Sequence, residues 1–230
     1  MERVLIKFTK TKGAKFISHL DTMRTIHRAI RRAGIPVSYS KGFNPHASIS
    51  VAAPLSLGIA SNAEYADIEI DEFIDGESIK EKLNSVLPEG IKILAVINIK
   101  DKMPSSMGIV DGAKYSIGLH CDKEYAANNT IEEILNSKEI FMNKRTKSGE
   151  KLVDIRPLIE DIRILDKKDS QIIFECLLHT GSRGSLGPEL LADLLKERSG
   201  KELNGYPDIE RKEIFTKVSN EWVDLLTYFS

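Results

Sequence analysis

The sequence has little cysteine and no long apolar run, and each absence narrows the class of protein. The two cysteines, Cys121 and Cys176, lack the C-x-x-C spacing of zinc and redox sites, which favours buried free thiols. No stretch approaches the roughly 20 apolar residues that span a bilayer, and the first residues carry no secretory signal. We therefore expect a cytoplasmic protein with no membrane partner, no metal and no other cofactor.

The overall composition is that of an ordinary globular protein. Of the 230 residues, 41% are hydrophobic and 29% are charged. This length suits one large domain or two small ones, and the order of the predicted elements favours two.

The first hundred residues alternate between strand and helix patterns. After a strand at 3–8, a helix starts at the Ser18 capping box and stops at Gly34. The patterns that follow predict a short strand, two longer strands, a helix and a strand at 36–39, 47–53, 63–70, 75–87 and 91–99. With one extra strand, this is the β-α-β-β-α-β order of split βαβ, or ferredoxin-like, domains.

The remainder predicts a linker and a second α+β unit. Residues 101–111 contain a proline, two serines and a glycine without periodicity, as is typical of a linker. Strands and two helices follow, at 114–121, 131–135, 140–144, 151–155, 159–165, 171–178, 188–197 and 209–216. The predicted fold is therefore α+β, with two ferredoxin-like subdomains that each place helices on one face of an antiparallel sheet. The predicted domains are a basic domain over 1–100, the linker over 101–111 and a second domain over 112–230.

Positive charge is concentrated at the start of the chain. Residues 1–50 hold ten Lys or Arg against two acids, a local charge of +8 in a chain whose total is −1. Such segregated charge gives one region a positive field, which attracts phosphate or another anionic partner.

The helix after Ser18 presents arginines on one side. Arg24, Arg28 and Arg31 lie within about one turn of each other, and like charges at this spacing repel unless an anion binds there. Arginine also binds phosphate oxygens in a bidentate manner. The phosphate contacts that we predict are the basic side chains in or beside this helix: Lys15, Arg24, His27, Arg28, Arg31, Arg32 and Lys41. The alternative is a solvated face whose partners are acids from elsewhere in the fold.

The loop Tyr39–His46 combines turn formers with aromatic rings. Glycine and asparagine permit positive φ, proline fixes the exit from the turn, and an exposed ring beside them can stack on a base. We predict that Tyr39, Phe43, Asn44 and His46 contact a base or a partner protein. The alternative is a tight connection with Phe43 tucked into the core.

Three histidines, His19, His27 and His46, fall in the same basic region, and imidazole suits proton transfer near neutral pH. In principle, His19 and His46 can act as base and acid in a metal-independent cleavage of RNA. No ligand spacing supports a metal site at His19, Asp21 and His46. Because a histidine among cations more often contacts phosphate, we predict no catalytic residue and keep His19 with His46 as the alternative.

A second candidate anion site precedes a later helix. The segment Thr180–Glu189 holds glycines, serines and an arginine, and free N–H groups at a helix N-terminus attract anions. It is not a Walker A loop, because no Gly-Lys-Ser/Thr closes it. We assign Ser182, Arg183 and Ser185 to a candidate anion loop; the alternative is a flexible loop with an N-cap.

Several of these motifs resemble the radical-SAM-linked family of uncharacterised bacterial proteins. The resemblance rests on segments that follow one another along the chain: Phe16–Asp21, Arg31–Pro36, Tyr39–His46, Leu55–Gly58 and Glu64–Tyr65. It implies a domain fused behind, or encoded beside, a B12-binding radical SAM enzyme, and an association with RNA. The chain lacks the three-cysteine motif of such an enzyme, so a separate polypeptide must supply the iron–sulfur cluster.

Together, these features predict a non-catalytic, RNA-binding accessory module. It would present tRNA or rRNA to a separate radical SAM enzyme that modifies RNA. One alternative is a metal-independent ribonuclease or RNA-modifying enzyme that uses His19 and His46. The other is a protein-docking domain whose basic face meets an acidic protein surface and binds no nucleic acid.

Overall fold

The structure, a computed structural model, describes residues 2–99, 102–121, 125–146, 149–168, 170–200 and 202–230. The chain divides into two compact units: Met1–Val110 with Glu213–Ser230 form unit 1, and Asp111–Lys212 form unit 2. Both units combine helices with mostly antiparallel strands, so the predicted α+β class is confirmed, while the ferredoxin-like assignment stays a prediction. Within the described residues, no helix is both long and apolar enough to cross a bilayer.

Unit 1 starts with the order of strands and helices that the sequence predicts. Its elements in chain order are β1 (Glu2–Lys10), α1 (His19–Arg32), β2 (Ile49–Val51), β3 (Ala60–Ile70), α2 (Gly76–Asn84), β4 (Ile93–Ile99) and α3 (Ser106–Ile109). Strand β1 lies between β4 and β3, β2 pairs with β3, and all these pairs are antiparallel. The short strand expected at 36–39 is reduced to two isolated bridges, Val37 with Ile70 and Tyr39 with Ala47.

The core of unit 1 joins one face of its sheet to α1 and α2. The buried residues of these strands and helices include Val4, Ile6, Phe8, Ile26, Ala29, Ile30, Ala66, Ile68, Ile70, Ile79 and Leu83. Successive side chains of a strand point to opposite faces of a sheet. The polar residues between the apolar ones on β3, Asp67 and Glu69, therefore face away from α1 and α2.

Unit 2 contains the two hairpins and two helices that the sequence predicts. Its elements are β5 (Gly112–Cys121), α4 (Ala127–Asn136), β6 (Phe141–Thr146), β7 (Gly149–Asp154), β8 (Ile159–Lys168), β9 (Gln171–His179), α5 (Pro188–Arg198) and the first part of β10 (Leu203–Val218). Strand β9 lies between β5 and β8, and β6 pairs with β7 in a separate two-stranded sheet. Cys121 and Cys176 are buried free thiols as predicted, and burial raises the pKa of the Cys176 thiol.

The end of the chain, Glu213–Ser230, belongs to unit 1, whereas the predicted second domain extends over 112–230. Two further elements follow β10, namely β11 (Glu221–Asp224) and α6 (Leu225–Phe229). Within unit 1, Glu213 of β10 accepts hydrogen bonds from Lys7 and Tyr65. Because β10 continues without a break past Lys212, no local signal in the sequence marks this boundary.

The predicted linker over 101–111 contains α3, and its first residue, Asp101, lies outside the described residues. Ser106 is fully buried and donates both its N–H and its hydroxyl to the Asp67 carboxylate, at 2.9 and 2.6 Å. These bonds attach α3 to β3 of unit 1. Because α3 has only four residues, it shows no periodicity from which the sequence could predict it.

Candidate nucleic-acid interface

Helix α1 begins at a cap that also engages one of the predicted arginines. Ser18 Oγ accepts the Asp21 N–H at 3.1 Å and donates to the Asp21 carboxylate at 2.7 Å. Arg24 Nη1 lies 3.0 Å from the same carboxylate. The hydrogen bonds from Ser18 and then from Arg24 lower the pKa of Asp21. Arg24, a predicted phosphate contact, therefore already has an acidic partner.

Three arginines in the C-terminal half of α1 line one open depression. Arg28, Arg31 and Arg32 are exposed around a volume of about 370 Å³. Arg32 Nη2 donates to the Val86 carbonyl at 2.7 Å. In the part of the chain that the structure describes, no carboxylate lies within 4.0 Å of the three guanidinium groups. We call Arg28, Arg31 and Arg32 the arginine cluster.

Several other cations among the first fifty residues are engaged within unit 1. Lys7 pairs with Glu213, and Lys12 pairs with Glu89. Lys10 is only 2% exposed. The expected charge of +8 is therefore not presented on a single surface, and the arginine cluster is a part of it that stays open to solvent.

The loop Tyr39–His46, here called the aromatic loop, is closed by hydrogen bonds at its base. Ser40 N–H donates to the His46 carbonyl at 2.8 Å, and His46 N–H donates to Ser40 Oγ at 3.0 Å. The exposed residues at the tip of the loop are Lys41, Phe43, Asn44 and Pro45. The Phe43 ring lies fully in solvent and does not fill the core.

His27 connects α1 to the aromatic loop. Its Nε2 lies 3.3 Å from Tyr39 Oη, and the two rings meet edge to face with their centroids 6.2 Å apart. Tyr39 is 44% exposed, so this contact lies at the surface. The structure thus joins one predicted phosphate contact on the helix to one predicted base contact in the loop.

Phe16 is an exposed aromatic residue that the sequence-based prediction omitted. Its side chain is 67% exposed, and the Lys15 ammonium group lies 5.3 Å from the centre of its ring. Gly58 N–H donates to the Lys15 carbonyl at 2.9 Å and so fixes the turn that carries both side chains. A signal was present in the sequence, because Phe16 follows a lysine in a stretch without apolar periodicity.

A polar pocket of about 300 Å³ opens beside the aromatic loop. Its polar lining comprises Arg3, Ser40, His46, Ser48, Ser50, Asp67, Glu69 and Ser105. Asp67 Oδ1 is buried, makes no hydrogen bond to the described residues and lies 3.9 Å from Arg3 Nε. Asp67 and Glu69 alternate with apolar residues along β3, so they share one face of the strand, but this alternation does not indicate what covers that face.

His19 and His46 line different cavities. His19, the first residue of α1, lines a small cavity with the buried side chains Lys10 and Glu64, whereas His46 lines the polar pocket. A general acid and a general base must both reach the same reacting groups. Their placement therefore gives no support to the ribonuclease alternative. Among the described residues, no group of three His, Cys, Asp or Glu side chains is arranged to hold a metal ion.

In unit 2, residues of the candidate anion loop already contact charged side chains of the same unit. Arg183 pairs with the buried carboxylate of Asp111, and Lys144 Nζ donates to the Ser185 carbonyl at 2.6 Å. Glu189 adds a carboxylate to the first turn of α5. Because Arg183 already has an acidic partner, this arrangement does not favour a bound anion.

One solved structure shares the fold over most of the chain, and two others are similar to it at lower scores. Over 92% of its length, the chain is similar to a chain of "Crystal Structure of a Cbf5-Nop10-Gar1 Complex", with a TM-score of 0.55 and 10% identity. Chains of "Structure of H/ACA RNP bound to a substrate RNA containing 2'-deoxyuridine" and "Crystal structure of the archaeal box H/ACA sRNP Nop10-Cbf5 complex" match 94% and 90% of it, with TM-scores of 0.46 and 0.43 and 10% identity. The chain spans about half the length of these three chains, namely 48%, 47% and 46%. At this identity, the likeness is one of fold alone.

The family match covers the arginine cluster, the aromatic loop and the polar pocket. No curated protein matches the sequence. A family model described as "Uncharacterized protein conserved in bacteria (DUF2344)" matches residues 3–188, and that description names no radical SAM enzyme. Because the match extends over well more than half of the sequence, this chain belongs to DUF2344, an uncharacterised family conserved in bacteria.

Proposed function

We propose that this chain is a non-catalytic RNA-binding module that presents a structured RNA, such as tRNA or rRNA, to a separate modification enzyme. The arginine cluster is the observation that carries the proposal. Three exposed guanidinium groups, with no carboxylate within 4.0 Å among the residues that the structure describes, line one depression on α1. Phosphate oxygens match the bidentate geometry of these groups and neutralise their charge.

The spacing of the cluster favours a bound anion over a purely structural role. Arg28 lies three and four positions before Arg31 and Arg32, where like charges repel by a few tenths of a kcal/mol per pair. The helix dipole favours cations in the last turn and so accounts for part of the placement of Arg31 and Arg32. It does not account for the lack of a carboxylate within 4.0 Å among the described residues, whereas a phosphate backbone does.

Exposed aromatic rings elsewhere in unit 1 fit single-stranded or loop regions of RNA. Phe43 at the tip of the aromatic loop and Phe16 beside Lys15 both present their rings to solvent. Stacking of a base on an aromatic ring contributes about 1–3 kcal/mol and tolerates many sequences. Structured RNAs expose such unstacked bases in loops and bulges.

The partner enzyme in this proposal is a B12-binding radical SAM protein. The basis is that the segments Phe16–Asp21 and Tyr39–His46 resemble the radical-SAM-linked family. The chain contains two cysteines, fewer than the three thiolates that hold the cluster of a radical SAM enzyme. The chemistry would therefore belong to the partner, and this chain would hold the RNA.

Fluorescence anisotropy with labelled tRNA and with an unstructured RNA oligonucleotide tests the proposal. We expect the double variant Arg28→Ala/Arg31→Ala to bind both RNAs at least about tenfold more weakly, because charge-assisted contacts to phosphate are lost. The matched control is Lys82→Ala, since Lys82 is also an exposed cation in the last turn of its helix. The control should bind like the wild type.

Two results would overturn RNA binding through this surface. One is a wild-type protein without measurable affinity for either RNA. The other is an equal loss of affinity in the double variant and in Lys82→Ala. Co-purification of a radical SAM enzyme without RNA, with the same dependence on Arg28 and Arg31, would replace the RNA proposal with the docking alternative.

A further inference from the structure

Asp67 is a buried carboxylate that is only half satisfied. Its side chain faces away from the core of unit 1. The residue as a whole is 5% exposed. Oδ2 accepts two hydrogen bonds from Ser106, but Oδ1 accepts none from the described residues. A buried acceptor without a donor costs free energy, which a donor entering the polar pocket would recover.

Arg3 presents a donor beside this acceptor. Its Nη2 donates to the carbonyls of Met103 and Pro104 at 2.8 and 3.1 Å, and its guanidinium carbon lies 5.9 Å from the centre of the Phe229 ring. These contacts fix the guanidinium group. Its Nε lies 3.9 Å from Asp67 Oδ1, which is too far for a direct hydrogen bond. A planar ligand that carries a donor next to an acceptor can bond to both side chains, donating to Asp67 and accepting from Arg3.

The charge and size of the polar pocket restrict what can fill it. Two carboxylates, Asp67 and Glu69, against the single guanidinium of Arg3 disfavour a phosphate or another anion. Serine hydroxyls from the loop, β2 and the residue before α3 can each donate or accept. A volume of about 300 Å³ is at the lower end for ligand sites and suits one small planar molecule.

We infer that the polar pocket binds a single unstacked nucleobase, with Asp67 accepting from and Arg3 donating to its edge. Proteins that read single-stranded RNA bond to base edges in this way. The inference deepens the RNA-binding function proposed above and rests on it for the origin of the base. Ser40 and His46 close the aromatic loop and also line the pocket, so the loop that carries Phe43 borders the pocket.

Titration with the four ribonucleosides, observed by two-dimensional NMR of the labelled full chain, tests the pocket without phosphate groups. We expect at least one nucleoside to shift the amide signals of Ser48 and Ser50 in a saturable manner. Because no phosphate takes part, the affinity should not change with salt between about 50 and 200 mM. No saturable shift with any of the four nucleosides would overturn the inference.

Two variants of the pocket make the test specific. Asp67→Asn keeps the shape but replaces an acceptor with a donor, and we expect at least about a tenfold loss of nucleoside affinity. Ser50→Val places a β-branched residue on β2 opposite Asp67 and narrows the pocket, so it tests the same site without touching the bonds to Ser106. Nucleoside binding that survives in both folded variants would overturn the inference.

Arg28→Ala/Arg31→Ala separates this inference from the proposed function. We expect this variant to bind nucleosides like the wild type and to bind RNA weakly. If RNA binds through the arginine cluster but no nucleoside binds, the pocket inference fails and the proposed function stands. If nucleosides bind in the pocket but RNA does not bind the chain, the proposed function fails and the pocket remains a nucleoside site.

Discussion

At the scale of single residues, Tyr65 links β3 to the end of the chain within unit 1. Its side chain is fully buried, and its hydroxyl donates to Glu213 Oε1 at 2.7 Å, while Lys7 donates to Oε2 of the same carboxylate. Burial, and then the nearby Glu213 carboxylate, raises the pKa of Tyr65. The phenol therefore stays neutral, and remains a donor, at a pH where an ordinary tyrosine ionises.

We expect Tyr65→Phe to lower the free energy of unfolding by about 1.5–3 kcal/mol near neutral pH, because a buried carboxylate loses a hydrogen bond. Since the folded-state pKa is raised, the contribution of Tyr65 is fully present below the unfolded-state value of 10.0 and is lost as the pH rises above it. Above this pH, the difference in the free energy of unfolding between the wild type and the variant should shrink by up to about 1.4 kcal/mol per pH unit. Urea unfolding at a series of pH values measures both effects.

Tyr206→Phe is the control for loss of a tyrosine hydroxyl, because Tyr206 is fully exposed. This variant should unfold like the wild type at every pH of the series. If the loss in the free energy of unfolding of Tyr65→Phe stays constant from neutral to alkaline pH, the role assigned to Tyr65 is wrong.

At the scale of elements, α1 holds the arginine cluster, and its first turn depends on Ser18. Ser18→Ala removes the side-chain acceptor for the Asp21 N–H, and we expect the free energy of unfolding to fall by about 1 kcal/mol. RNA affinity should stay close to that of the wild type, because the cluster lies in the other half of the helix. Urea unfolding measures the first effect, and fluorescence anisotropy measures the second.

The control for this variant is Ser56→Ala. Ser56 is exposed, and its side chain makes no hydrogen bond to the described residues. Its replacement should change the free energy of unfolding by less than about 0.5 kcal/mol. Equal losses in the two serine variants would mean that the Ser18 cap does not stabilise α1.

The bounds of α1 were predictable from the sequence, whereas its electrostatic surroundings were not. Ser18 and Gly34 mark the two ends of the helix from adjacent positions, so short-range patterns are enough. The partner of Lys7 is Glu213, which is 206 positions away in the sequence. The bonds to Asp67 come from α3, a helix too short to produce a pattern. Such pairings depend on the tertiary fold, which a single sequence does not state.

At the scale of the whole molecule, positive and negative charge are separated along the sequence. The first fifty residues carry +8, although the chain as a whole carries −1. The structure neutralises part of this charge by ion pairs such as Lys7 with Glu213 and Arg24 with Asp21. A count of charges in the sequence therefore overstates the number of cations that can meet a polyanion.

The salt dependence of RNA affinity should reflect the arginine cluster and not the full charge of the first fifty residues. Three arginines that each neutralise one phosphate give a slope of log K against log salt of about −2 for single-stranded RNA, whereas ten cations would give about −7. We expect Arg31→Ala to reduce the magnitude of the slope by about 0.7, and Lys82→Ala to leave it unchanged. Anisotropy titrations between about 50 and 200 mM salt measure the slope. If the wild-type slope is near −7, or if Arg31→Ala does not change it, the phosphate contacts lie outside the arginine cluster.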